Sequence, residues 1–446
     1  MARLGFGTDG VRGEANSELT PEIALALGRA AAEVLGVSRV AIGLDTRRSG
    51  PMLESALIAG YTSVGVDCLT LGVVPTPAVA WVAASQGIGG AMISASHNPF
   101  ADNGIKLFAT GGLKLVDTVE AQIESRMHAL LDGAAPAVSV GESIGSAVAD
   151  DLSVGWADAV VRSLEGRRFD GLSVVLDCAN GAASRYGPEV FAALGADLTV
   201  IGDQPDGINI NAACGSTHPE SLQETVRATG ADLGLAFDGD ADRLIAVDGL
   251  GEIVDGDHVL AILATDWKTT GRLTADTLVV TVMSNLGLRL AMDRAGIHVI
   301  ETGVGDRYVL EALNSGGYAL GGEQSGHVIC RDLSTTGDGV LAGVQLLDAV
   351  IRSGDTLADV AADSMTSLPQ VLENVRLPQR DATLVDRLGA AIAEAEAELG
   401  GDGRVLVRPS GTEPLIRIMV EHVDALTAER VVAELVSVTE GLVNQQ

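Results

Sequence analysis

Asp238-Gly239-Asp240-Ala241-Asp242-Arg243 sets three carboxylates at i, i+2 and i+4, which share one side of the chain if the backbone is extended. Two such charges about 4 Å apart repel by roughly 4 kcal/mol at an effective dielectric of about 20. Three together favour a divalent cation, and an all-oxygen set suits Mg²⁺ or Ca²⁺. An EF-hand is excluded, because Arg243 stands where its loop needs Gly and Gly249 stands where it needs the closing Glu. The plain alternative is a solvated acidic turn. The apolar runs Leu233 to Phe237 and Leu244 to Val247 argue against it, since they bury the roots of the loop.

Three further segments have chemistry of their own. Ser94-Ala95-Ser96-His97-Asn98-Pro99 follows the apolar run Gly90 to Ile93, and Asn-Pro ends regular structure there. Ser96 is thus expected at a strand end, where α/β sheets place their sites; alone, the segment reads equally as a capping turn. Arg408-Pro409-Ser410-Gly411-Thr412-Glu413-Pro414 joins an arginine to two hydroxyls and a glycine that frees backbone N–H groups, a phosphate nest or else a simple hairpin loop. Arg417 follows in the next strand and can add a second guanidinium. Gly321-Gly322-Glu323-Gln324-Ser325-Gly326-His327 puts Glu323, Ser325 and His327 on alternate positions, where a carboxylate and a hydroxyl can bridge vicinal sugar hydroxyls.

Other motifs fail. Gly5-Phe6-Gly7-Thr8-Asp9-Gly10 has the spacing of a dinucleotide fingerprint, but only four residues precede it and leave no room for the strand that motif requires. Its glycines and Arg12 form at most an anion-approaching loop. There is no GxxxxGK[ST], and Gly322-Glu323-Gln324-Ser325-Gly326 has the wrong spacing for a nucleophile elbow.

The elements that must position these residues alternate short β-branched runs with longer Ala/Leu-rich helical stretches. A helix is expected over Ile23 to Leu35 after Thr20-Pro21, with strands at Val40 to Leu44, Ser173 to Leu176 and Thr277 to Met283. The turns after those strands (Asp45-Thr46-Arg47, Asp177 to Gly181, Ser284 to Gly287) look like one α/β unit repeated three times. Gly133 to Asp150, small and weakly periodic, is expected as a first boundary. Beyond about Ser364 the order becomes strand, helix (Ala382 to Leu399), strand (Arg404 to Val407), strand (Leu415 to Glu421), helix (Ala428 to Val438), an α+β tail with antiparallel pairing. The expected division is 1–148, 149–250, 251–365 and 366–446.

Length and charge agree with that plan. The 446 residues, at about 150 per domain, are 47% hydrophobic and only 3% aromatic, so the cores must be aliphatic. Sixty acids against 29 bases give a formal charge of -31, which rules against a sequence-independent binder of nucleic acid or anionic lipid but leaves room for small anions held by local arginines. Cys68, Cys178, Cys214 and Cys330 show no paired spacing, and no signal segment or membrane-length apolar run is evident. A reducing cytoplasm is expected, as monomer or homodimer.

Taken in order, the Ser-Ala-Ser-His-Asn-Pro, Asp-Gly-Asp-Ala-Asp-Arg, Gly-Glu-Gln-Ser-Gly-His and Arg-Pro-Ser-Gly-Thr-Glu-Pro segments resemble the α-D-phosphohexomutase superfamily along essentially the whole chain. Gly7 to Gly13, Asn209-Ile210-Asn211 to His218, Gly303 to Val309, Thr336 to Gly339 and Gln324 are most similar to its branch acting on glucosamine phosphates. The resemblance implies four domains around a central cleft, three related α/β units plus a smaller α+β C-terminal domain. It implies interconversion of glucosamine 6-phosphate and glucosamine 1-phosphate, feeding UDP-N-acetylglucosamine and cell-wall synthesis. Ser96 would be a phosphoserine that gives and takes the phosphoryl group, with His97 beside it. One Mg²⁺ would be held by Ser96, Asp238, Asp240 and Asp242, and a sugar 1,6-bisphosphate would be the intermediate and activator. Lys106 and His327 match the positions of acid–base groups, with the lysine expected to have a lowered pKa through burial near cations. Arg12 and Arg243 would line the transferring phosphate, and Glu323 and Ser325 the sugar. Arg408, Ser410, Gly411, Thr412 and Arg417 would hold the other phosphate. A phosphomannomutase or phosphoglucomutase specificity is the nearest alternative, and a Mg²⁺-dependent sugar phosphatase a more distant one.

Overall fold

Thr20-Pro21 begins a helix because proline's fixed φ suits the first helical position and its missing N–H would be unpaired there anyway. In the computed structural model, which describes residues 4–7, 9–379, 381, 383–410 and 414–443, that helix spans Pro21–Leu35 and stops at a left-handed Gly36 whose N–H returns to Ala32 O. Its buried side is small: Ala24, Gly28 and Ala31 let it press against the helix Gly50–Ser63, where a Cβ on Gly28 would come within 2.7 Å of Leu57 O.

Among the described residues four sheets follow in chain order, and the first three repeat one plan. In the first, Arg39–Leu44 lies between parallel neighbours Asp67–Val73 and Gly89–Ile93, and Asp102–Ala109 then pairs antiparallel with Gly89–Ile93. The second places Ser173–Asp177 between Asp197–Ile201 and Leu233–Phe237, with Leu244–Asp248 antiparallel to the latter. The third places Thr277–Thr281 between His298–Thr302 and Leu320–Gly322, with Val328–Cys330 antiparallel. The order is second, first, third, fourth each time. Parallel neighbours need helical crossovers, but an antiparallel pair can close through a short turn. In all three sheets the turn from third to fourth strand carries one of the chemically loaded segments: Ser94 to Ala101, Asp238 to Arg243, and Glu323 to His327.

The described residues form two compact units, one of residues 1–283 and 297–364, the other of 284–296 and 365–446. The second unit contains a three-stranded antiparallel sheet with Leu415–His422 between Gln370–Arg376 and Gly403–Pro409, as its strand order leads one to expect. Helices Leu384–Leu399 and Ala425–Val443 cover an aliphatic core of Leu388, Leu399, Ile416, Ile418, Val431 and Leu435. The helix Leu286–Arg294, read from sequence as part of the third repeat, belongs to this unit. The fully buried Glu421 accepts Leu286 N–H at 3.0 Å and Arg404 Nε–H at 2.5 Å, and Asn285 donates to Leu368 O at 3.0 Å.

Other expectations shift. The strand beginning at Thr277 stops at Thr281. Within the Gly133 to Asp150 stretch, Ala147–Ala149 pairs in parallel with Asp67–Val73 and extends the first sheet. Phe6–Gly7 and Gly10–Glu14 form an antiparallel edge of that sheet rather than a strand and helix, which agrees with rejecting the dinucleotide motif. All four cysteines are free and buried, and among the described residues no helix is long and apolar enough to cross a membrane.

Asp338 fixes the start of the buried helix Gly339–Ser353, accepting Leu341 N–H at 2.9 Å with one oxygen and Trp156 Nε1–H at 2.9 Å with the other. Asp338→Ala removes the cap and strands a buried indole N–H. Urea unfolding is expected to register a loss of about 2–4 kcal/mol; a change below about 0.5 kcal/mol would show that neither contact contributes.

Candidate active site

Ser96 is 1% exposed and held in the left-handed region at φ 53. That conformation costs a non-glycine residue on the order of 1–3 kcal/mol and persists only where its surroundings over-determine it. Here they do. Ser96 N–H donates to Ser94 Oγ at 2.9 Å, and Ser94 Oγ donates to Asp45 Oδ2 at 2.6 Å. Asp45 also receives Arg47 Nε–H at 2.8 Å. The same buried guanidinium donates to Ser96 O at 2.9 Å, Asn98 O at 2.8 Å, Asp102 O at 3.0 Å, and Pro99 O. The strained peptide thus presents Ser96 Oγ to Asp238 Oδ2 at 2.5 Å.

Asp238, Asp240 and Asp242 are buried, and one oxygen from each lies within 4.8 Å of the others. They do not meet on an extended chain, as the sequence suggested. They converge on a turn between antiparallel strands, with Ala241 at φ 56. Thr76 Oγ1 donates to Asp240 Oδ2 at 2.6 Å, whereas Asp240 Oδ1 and Asp242 Oδ1 are buried without a hydrogen-bond donor. Burial and the two neighbouring carboxylates push Asp238 well above the ordinary carboxylate range. Orphaned oxygens, an all-carboxylate donor set and this repulsion fit a hard divalent cation.

The cations around this turn correct one expectation and sharpen another. Lys106 Nζ lies 2.8 Å from Asp240 Oδ2 and 3.0 Å from Asp242 Oδ2. Burial alone would lower its pKa, but Asp240, Asp242 and Asp9 overcome that and raise it. The lysine sits among anions, and its ammonium is held protonated. His327 is also buried, with Nε2 3.1 Å from Asp306 Oδ2 and Nδ1 3.8 Å from Asp242 Oδ1. Burial opposes its charge, yet Asp306 and Asp242 bring it up to about 10. Asp306 in turn pairs with Lys114, and Lys114 lies 3.4 Å from Asp9. His97 Nδ1 is 3.3 Å from Ser96 Oγ, and burial with nearby Arg243 and Arg12 pushes it down to about 4, so it is neutral at ordinary pH.

A cleft of about 320 Å³ opens beside His327, lined by Asp9, Arg243, Asp306, Glu323, Gln324 and Ser325, and its volume lies within the range of small-molecule sites. Arg12 pairs with Asp9 at 3.0 Å, and the Nε atoms of Arg12 and Arg243 are buried without an acceptor. Burial raises the Glu323 carboxyl, which accepts Gly305 N–H at 3.3 Å. The structure therefore brings together Ser96, His97, Lys106, the acidic trio, Arg243 and His327, with Arg12, Glu323 and Ser325 bordering the same region.

In the C-terminal unit, Arg408 and Arg417 are direct cross-strand partners and so share a face. Burial and Arg417 together lower the Arg408 pKa, and Arg417 Nε has no acceptor, an arrangement that an anion would relieve. Ser410 N–H donates to Leu415 O at 2.9 Å. Gly411 and Thr412 lie outside the described residues.

Models of the phosphoglucomutase/phosphomannomutase family match the chain in order: alpha/beta/alpha domain I over residues 3–132, domain II over 155–251, domain III over 255–368 and the C-terminal domain over 372–438. A phosphoglucosamine mutase from Desulforudis audaxviator is 52% identical, covering 99% of each chain. Another, from Symbiobacterium thermophilum, is 54% identical over 98% of this chain and 99% of its own. The chain belongs to the phosphoglucomutase/phosphomannomutase family of phosphohexomutases. A phosphoglucomutase/phosphomannomutase family protein from Burkholderia thailandensis, 25% identical, superposes with a TM-score of 0.80 over 97% of both chains. An N-acetylphosphoglucosamine mutase from Aspergillus fumigatus, 17% identical, shares the fold at a TM-score of 0.69 over 97% of this chain and 95% of its own.

This phosphohexomutase is an isomerase. Sequence reasoning singled out most of the side chains gathered at its site but gave no role to Arg47, Lys114, Asp306 or Asn211. Arg47 had one available signal, an Asp-x-Arg closing a buried strand, read only as a turn. If the acidic trio holds a divalent cation, that cation, tested as Mg²⁺ at a hundred times its Kd, is expected to stabilise the phosphohexomutase by about 2.7 kcal/mol. Asp238→Asn relieves the repulsion, so thermal unfolding is expected to find that variant at least as stable as the native protein without metal and almost unresponsive to Mg²⁺. An unchanged Mg²⁺ response would place the cation elsewhere.

Proposed function

We propose that this phosphohexomutase interconverts glucosamine 6-phosphate and glucosamine 1-phosphate through phosphorylated Ser96 and a sugar 1,6-bisphosphate, supplying UDP-N-acetylglucosamine and cell-wall synthesis. The observation that carries the reading is Ser96 Oγ, strained into place 2.5 Å from Asp238 in a buried acidic trio. Support for the substrate comes from relatives named phosphoglucosamine mutase that match nearly end to end. The cleft also sets the Arg243 guanidinium, suited to a phosphate, near the Glu323 carboxyl, suited to the polar groups of an aminosugar.

Asp238, Asp240, Asp242 and a phosphoserine oxygen would hold one Mg²⁺, which when bound offsets negative charge on the phosphoryl oxygens. In the first half-reaction a sugar hydroxyl attacks phosphoserine 96; the Ser96 Oγ–P bond breaks as the P–O bond to the sugar forms, and the hydroxyl proton passes through an enzyme base to the departing Ser96 Oγ. In the second half the bisphosphate presents its other phosphate, Ser96 Oγ takes it as the P–O bond to the sugar breaks, and the Ser96 hydroxyl proton passes back by the same route to the departing sugar oxygen. Lys106 and His327, both held protonated with Ser96 unphosphorylated, suit this second half as proton donors and by microscopic reversibility serve the first as bases. Arg12 and Arg243 steady the moving group, with neutral His97 beside Ser96 Oγ. Glu323 and Ser325 hold sugar hydroxyls, and Arg408, Ser410, Gly411, Thr412 and Arg417 are assigned the phosphate that is not reacting. The unpaired cysteines support a reducing, cytoplasmic setting.

Turnover of glucosamine 6-phosphate, glucose 1-phosphate and mannose 1-phosphate by the Mg²⁺-loaded protein tests the assignment. The aminosugar is expected to have the highest kcat/KM; equal or better use of either hexose overturns the specificity. Ser96→Ala is expected to lose at least about 10³-fold in kcat, and an active variant would rule out the phosphoserine route.

A further inference from the structure

Asn209-Ile210-Asn211 comes from the second α/β unit, yet its last residue reaches the serine loop of the first. Asn211 Nδ2 donates to Ser96 O at 2.9 Å and to Asn98 O at 3.2 Å. Arg47 Nη2 holds the same two carbonyls. The two donors differ in origin. Arg47 belongs to the unit that carries the serine, whereas Asn211 belongs to the unit that carries the acidic turn. Asn211 is itself fixed: it is 7% exposed, left-handed at φ 56, and its N–H donates to Ala179 O at 2.9 Å. Gly239, next to Asp238, closes on the same point, where a Cβ would come within 2.5 Å of Ser96 O and 2.9 Å of Asn211 Nδ2. The Ser96 peptide, the Asn211 amide and the acidic turn therefore meet at one place.

We propose that Asn211 is a positioning residue for phosphoryl transfer: it ties the Ser96 carbonyl to the unit bearing Asp238, Asp240 and Asp242, and so keeps the serine oxygen in register with them. The inference rests on the reading of Ser96 as phosphoryl carrier. Without Asn211, the contacts from Arg47 still hold the serine loop within its own unit, but its placement against the acidic turn loses a direct tie. Misplacement of reacting groups by about an ångström can cost on the order of 10²-fold.

The test is steady-state kinetics of the full-length Mg²⁺-loaded protein carrying Asn211→Ala, Asn211→Asp or Asn211→Gln, with thermal unfolding and peptide mass spectrometry of Ser96 in parallel. Aspartate keeps the shape but cannot donate; glutamine keeps the donor. We expect kcat per folded molecule to fall roughly 10- to 100-fold in the Ala and Asp variants. KM should stay within about twofold of native, Ser96 should still carry phosphate, and Gln should recover part of the loss. A folded Ala variant with native kcat, a loss that only tracks the folded fraction, or a loss confined to KM overturns the proposal. Failure of the Ser96 reading is separate, since native protein would then turn over with no phosphate on Ser96 and Ser96→Ala would be active.

Discussion

Three carboxylates buried on one short turn are the constraint around which the site is organised. In a low-dielectric interior they cannot all be charged without compensation. The protein supplies part of it with Lys106 and His327, drawn in from other stretches of chain, and with Arg243 on the acidic segment itself, and leaves two carboxylate oxygens without a hydrogen-bond donor. A cation bound there and a phosphate on the adjacent serine would meet charges of opposite sign already in place. Such preorganisation is how a protein lowers the barrier to phosphoryl transfer, a reaction that depends on positioning and charge stabilisation.

The threefold repeat explains how that crowding is delivered. Each α/β unit ends its third strand in a turn that runs back antiparallel, and each turn carries a different part of the site: the serine, the acidic trio, or Glu323 to His327. Backbone bonds then tie the acidic turn and the strand after it to the units on either side: Gly339 N–H donates to Ala241 O at 3.0 Å, Leu244 N–H to Gly326 O at 2.9 Å, and Thr76 N–H to Asp240 O at 2.9 Å. A site assembled from strand-end turns of rigid sheets holds its geometry better than one built on a long free loop.

What the sequence disclosed follows the range over which each signal acts. The acidic trio and Ser96 are legible because residue type, short spacing and apolar flanks lie within a few positions of each other. Repeat number and the antiparallel tail are legible for the same reason, since each is a local alternation of strand and helix. Arg47 and Asn211 act on a serine 49 and 115 positions away, so nothing beside them in the chain reveals the carbonyls they hold. The expectation for Lys106 failed likewise, because its partners Asp240 and Asp242 are 134 and 136 positions distant and reverse the sign of the environment assumed for it. The acidic segment differs for another reason: alanine rarely takes a positive φ, so nothing in the residue types signals the turn at Ala241.

In the proposed reaction Ser96 itself passes the phosphoryl group to the sugar. Rapid-quench analysis of protein phosphorylated at Ser96, mixed with excess hexose monophosphate and Mg²⁺, tests this most directly. Phosphate is expected to leave Ser96 at least as fast as steady-state turnover and to appear first in sugar bisphosphate. Phosphate that remains on Ser96 through many turnovers would contradict it.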